Sequence, residues 1–145
     1  MAALTSVEGC SSVFRGGIVT YATPLRRSLL DVERDLVADL GLFPNDHAAQ
    51  MAEGVREATT PFEETGTSWG IGITEVAGPE QNGAEGVGKV HIGVAGPDGE
   101  SRGFGPFDFP FRRERMREEV VLEAFSVLRD ELRKARGERP PPYLR

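Results

Sequence analysis

Glu75 ends a run of strand-like residues and opens a glycine-rich loop, the place where α/β proteins gather binding groups. Lys89 and His91 follow on the next such run, and a carboxylate beside an ammonium or an imidazole is the simplest acid/base couple a chain can offer. The pattern therefore points to proton transfer by a Glu75–Lys89 or a Glu75–His91 pair, with a plain surface ion pair as the competing reading. Val90, Ile92 and Val94 alternate to one side of their strand, which leaves His91, Gly93 and Ala95 on the other, facing either solvent or a site. Tyr21, at the end of an earlier strand-like run, offers a hydroxyl to a ligand or packs with that hydroxyl wet.

Other patterns exclude chemistries. Cys10 sits in a turn of small residues and reads as a small hydrophobe rather than a nucleophile. His47, in the first turn of a helix, reads as a surface residue. Two histidines and one cysteine far apart in sequence give no basis for a metal site, and no cofactor is implied. The glycines at 70 and 72 lack the third glycine of a dinucleotide fingerprint, and no Walker-type lysine pattern occurs.

The 145 residues, 39% apolar and 28% charged, suit one globular domain with its own core. The net charge of −6 has the wrong sign for nucleic acid as a partner. From Pro110 onward the balance turns to ten basic against seven acidic residues, but Glu and Arg interleave there as on a solvated helix face. Uncharged stretches such as residues 65–74 are far too short to span a membrane. One cysteine and no signal-like start imply a reducing, cytoplasmic setting.

The elements that must position these groups follow from periodicity. Residues 13–21 read as a strand carrying a glycine pair, residues 25–30 as a short helix, and residues 31–40 as a helix ended by Gly41. A further helix starts at Pro44, with Ala48, Met51, Ala52 and Val55 on one face, and frays by Thr59. A connection over 59–67 leads to strands over 68–76 and 87–95, and an irregular edge strand covers 101–109. From Phe111 a continuous apolar stripe marks a long helix, stopped by Gly137 and three prolines. This is a single α/β domain over residues 1–137, with residues 138–145 as a flexible tail.

Residues 4–21 (LTSVEGCSSVFRGGIVTY), 49–54 (AQMAEG), 74–79 (TEVAGP) and Val87-Gly88 resemble, in this order, blocks of the nicotinamide-nucleotide amidase family, the carboxy-terminal domain of CinA-type competence-damage-inducible proteins. The resemblance covers roughly residues 3–132 and implies a three-layer-like fold: a mixed central sheet flanked by helices, with a long carboxy-terminal helix. Members of the family hydrolyse the carboxamide of nicotinamide mononucleotide without a metal, using a serine nucleophile and a lysine base. The serine's Glu-Ser-Cys-Thr-Gly-Gly motif is absent from the sequence, and the position matching the lysine is Arg26, which cannot give up a proton near neutral pH. Glu75, Gly86, Lys89 and His91 also depart from the family pattern.

The resemblance thus describes a divergent, amino-terminally truncated member in which Arg26, Thr74, Gly78, Pro79 and Gly17 line the inherited ligand pocket. It implies that Glu75, His91, Lys89 and Tyr21 carry out non-hydrolytic acid/base work, an isomerisation or cyclisation, on a small molecule. The VFRGG and YAT segments look like those of standalone fungal relatives, which implies a place in specialised metabolism. The alternatives are an inactive nucleotide-binding or scaffolding relative, and a residual amidase if the true start lies upstream. Without the family's first strand the core is left open, so a second copy of the chain is expected to cover it.

Overall fold

The computed structural model describes residues 1–33, 44–61, 65–75, 86–110 and 112–138. A short helix α1 (Ala2–Thr5) and a 3-10 turn (Cys10–Ser12) lead to helix α2 (Thr23–Leu30). Pro24 lies in the first turn of α2, where its missing N–H costs nothing, and Asp31 ends the helix in the left-handed region at φ 52°. The expected helix over 31–40 falls mainly outside the described residues; Asp31, Val32 and Glu33 are irregular. Helix α3 (Pro44–Ala58), the three strands β1 (Gly70–Glu75), β2 (Lys89–Ala95) and β3 (Ser101–Asp108), and helix α4 (Arg113–Ala135) complete the order.

The strands form one sheet, β1-β2-β3, antiparallel throughout the described residues. Helix α3 lies on one face and α4 on the other, with α2 packed outside α3, so the layers are helix, sheet, helix. On the α4 face Val90, Ile92, Met116, Val120 and Ala124 form a buried cluster, edged by Ile71, Ile73, Phe107, Phe109 and Val127. Each large side chain in it is worth about 1.5–3 kcal/mol when fully removed from water. A second cluster, Leu30, Val32 and Met51 with Ile18 and Val55, joins α2 to α3.

The α3 face is built differently. Gly70, Gly72, Gly93 and Gly103 lie beneath the helix, and a Cβ at these positions would collide with the backbone carbonyls of Ala52, Ala48, Ala48 and Asn45 respectively. Bare backbone on the sheet is what lets the helix descend so closely. With α2 on its outer side, α3 is covered on two sides, and His47, Ala48, Ala49, Met51, Ala52 and Gly54 are all buried.

The strand expected over residues 13–21 is extended but joins no ladder among the described residues. Its exposure alternates as a strand's would: Val13, Val19 and Tyr21 point outward, while Ile18 packs on the second cluster and Thr20 is buried. The sequence pattern records this two-residue alternation, but a ladder also needs a neighbouring backbone. At the other end, α4 stops at Gly137 (φ 70°), where the Glu138 N–H donates to the Arg133 carbonyl at 2.9 Å.

Candidate functional site

Opposite His91 the β2–β3 ladder slips. Val90 pairs with Phe107 and Ile92 with Phe104, so the stretch between them on β3 carries one residue more than β2 and bulges at Gly105-Pro106. Gly105 adopts φ 126°, and its backbone lies against the His91 ring. The bulge aims the Gly105 carbonyl at α3, where Asn45 Nδ2 donates to it at 3.3 Å. With its amide nitrogen so used, Asn45 presents Oδ1 to His91, which donates from Nδ1 at 2.7 Å. That bond fixes the imidazole's orientation and places the Nδ1 proton. His91 is 3% exposed, and Thr74 is its register partner across on β1.

Two residues after Asn45, in the same first turn, His47 is 2% exposed. Arg26 of α2 donates from Nη1 to His47 Nε2 at 3.1 Å. Arginine has only donors, so Nε2 is the unprotonated nitrogen and His47 is held neutral at that atom. Burial pushes the Arg26 guanidinium below its ordinary pKa. His47 is therefore an interior residue, in contrast to its expected surface position, because α2 covers the side of α3 that a solvent-facing helix would leave open.

The remaining candidates are dispersed. Strand alternation puts Glu75, the register partner of Val90, on the α4 face, while Lys89 and His91 lie on the α3 face. The expected Glu75–Lys89 and Glu75–His91 couples are therefore not formed: Lys89 pairs with Asp108 at 2.6 Å, and His91 with Asn45. Tyr21 is 80% exposed on the extended segment, and Gly17, on the same outer side, has the Met1 thioether against it. Gly78 and Pro79 lie outside the described residues. Cys10 is half-buried in its turn.

The structure thus brings together Thr74 with His91, and adds Asn45 and His47, which the sequence marks only as the start of a helix. The signal for them is their spacing of two residues at a helix start, with a histidine at the second position. Arg26 joins through a bond that spans 21 residues of sequence. A shallow cleft between α2 and α3, lined by Arg27, Leu30, Asp31, Gly54 and Glu57 among others, includes none of these residues. Among the described residues no three His, Cys, Asp or Glu side chains gather as a metal site needs, and no helix is long and apolar enough to cross a membrane. What the cluster offers is a fixed cationic donor and two oriented imidazoles.

Known proteins share this architecture. A CinA-like protein of Frankia casuarinae is 40% identical over 126 residues, covering 87% of this chain and 27% of that protein. One from Parasynechococcus marenigrum is 36% identical over 132 residues, covering 90% and 30%. The chain thus spans less than a third of the length of these curated relatives. Among solved structures, a competence/damage inducible protein from Agrobacterium tumefaciens superposes with a TM-score of 0.75 at 26% identity, over 88% of this chain and 74% of that one. A CinA superfamily protein from Enterobacter cloacae reaches 0.79 at 19% identity, over 90% and 73%, which speaks to the fold alone. The model of the CinA C-terminal domain matches residues 1–132, and with it the chain belongs to the CinA C-terminal domain family.

Proposed function

We propose that this CinA-type domain binds a small molecule at the cluster formed by Arg26, His47, Asn45, His91 and Thr74, and does not run a serine/lysine amidase reaction there. One observation carries the reading. Arg26, at the position matching the family's base, donates to His47 Nε2, so it acts as a fixed cationic donor where an amidase needs a proton acceptor. The test is a pair of measurements on the same protein. Calorimetry should detect nicotinamide mononucleotide or its acid, while an ammonia-release assay with the mononucleotide should stay at background. Brisk ammonia release would overturn the reading, and so would the failure of both nucleotides to bind.

A second reading is favoured by the His91–Asn45 bond, which orients an imidazole as the supporting residue of a catalytic base does. In it the site carries out a non-hydrolytic proton transfer, of the isomerisation or cyclisation type, and His91 takes the role expected of Glu75. Tyr21, Lys89 and Glu75 then have no part in the chemistry, so their substitution leaves turnover unchanged. Val13, Val19 and Tyr21 are exposed along an extended segment without ladder partners among the described residues, which supports homo-oligomer formation through that segment. Light scattering at micromolar concentration would detect the larger species, and a monomer would argue against it.

A further inference from the structure

A partly buried charge is ordinarily matched by a counter-charge, because the water it loses is otherwise not replaced. Arg26 departs from this rule. Its Nη1 is bonded to a neutral ring nitrogen, its Nε is buried with no hydrogen-bond partner, and among the described residues no carboxylate forms an ion pair with it. Desolvation lowers its pKa, and no acidic neighbour among the described residues pulls the other way. A buried donor without a protein acceptor is a place where an acceptor carried by a bound molecule gains a full hydrogen bond.

Arg133 also has a buried nitrogen, Nη1, without a hydrogen-bond partner. Arg133 lies in the last turn of α4, where the helix's own carbonyl end favours a cation. Arg26 is the fourth residue of α2, in the half of a helix that favours anions, and the first turn of α2 holds no acidic residue. Among the described residues its charge is therefore balanced neither by a side chain nor by its helix.

We propose that Arg26 receives an anionic oxygen group, a carboxylate or a phosphate, of the molecule bound at this site, on the guanidinium edge that carries Nε. His47 is the positioning residue, gripping the opposite corner through Nη1. The inference rests on the binding reading above and names the chemistry of the ligand. A planar guanidinium engaged at one corner has a defined second edge, and two parallel N–H bonds to one carboxylate or phosphate fit that edge where a lysine's point charge would not. His47 can hold the corner because it sits on the turn of α3 that the glycine-lined sheet seats firmly.

The experiment has two arms. In the first, the Arg26 Nε–H resonance is followed by nitrogen-15 NMR while inorganic phosphate and, separately, acetate are titrated; a saturable shift that is lost in Arg26→Lys is expected. In the second, calorimetry compares nicotinamide riboside, nicotinic acid riboside and nicotinamide mononucleotide. Retention of the acid riboside identifies a carboxylate anchor, and retention of the mononucleotide alone identifies a phosphate anchor.

Arg26→Gln should weaken the retained ligand about 100-fold and Arg26→Lys about 10-fold. His47→Leu should weaken it about 10-fold, and His47→Asn, which offers an amide oxygen to Nη1, should restore it. Nicotinamide riboside binding as tightly as its anionic relatives would sink the anchor and leave the binding reading standing. A moving Nε–H with no nucleotide or riboside bound would keep the anchor and remove this ligand class. A motionless Nε–H, with the anionic ligands bound equally by Arg26→Gln, would end the proposal.

Discussion

On the α4 side the sheet presents Ile71, Ile73, Val90 and Ile92 to Met116, Val120 and Ala124, while on the α3 side it presents glycines to the helix backbone and a histidine to the helix's first turn. One contact is made of side-chain volume and the other of its absence. Volume can be redistributed among neighbours, so the α4 side tolerates exchange among apolar residues of similar size. Backbone against backbone has no such slack. The α3 side holds Asn45 and His47 at fixed height above the sheet, which is what a site needs from its scaffold.

Opposite kinds of substitution should therefore injure the two faces. The largest effect is expected from Ile92→Ala, which opens a cavity on the α4 side at a cost of about 4 kcal/mol, read from chemical denaturation. Next comes Gly93→Ala, where adding one methyl should cost about 3 kcal/mol because the Cβ meets the Ala48 carbonyl. If Gly93→Ala proved neutral, the close seating of α3 would be wrong and the contrast between the faces with it. Asn45→Ala removes the bonds that Asn45 makes to His91 and to the Gly105 carbonyl, for about 2 kcal/mol. The His91 ring resonances should then broaden or shift.

Smaller effects refine the comparison. Glu53 on α3 accepts from Arg56 and from Ser101 of β3, and the Arg56 hydrogen bond holds its carboxyl below the usual range. Because the folded value lies below the unfolded one, the stabilisation is present at neutral pH and is lost as pH falls through that lowered value. Glu53→Gln should cost at most about 1 kcal/mol at pH 7 and flatten the decline in stability below about pH 4. Glu75→Gln, at the end of the α4 face, should change stability by less than about 0.5 kcal/mol and leave ligand binding at Arg26 untouched. A binding loss there would return Glu75 to the site.

The α4 side was largely legible in the sequence. The stripe at Met116, Val120 and Ala124 and the alternation at Val90, Ile92 and Val94 name their own faces, because apolar burial leaves a period. The α3 side was not. Gly70, Gly72 and Gly93 could equally have marked a loop around a phosphate, since a glycine tells of close approach without saying what approaches. Nearness along neighbouring strands pairs Glu75 with Lys89 and His91. Register decides faces by parity, and parity depends on a pairing that no local pattern records. His47 required knowledge of α2's position, and its bond to Arg26 joins two helices that carry no mutual signature.

The slipped register at Gly105-Pro106 has a consequence of its own. Phe104 and Phe107, three positions apart on one strand, both pair with residues of the hydrophobic side because a single inserted residue resets the phase between them. Shortening β3 by that one residue would leave the two rings two positions apart, on one face of a regular ladder, and would withdraw the carbonyl that Asn45 holds. The extra residue thus serves the site rather than the core, whose two rings a regular strand one residue shorter would place equally well.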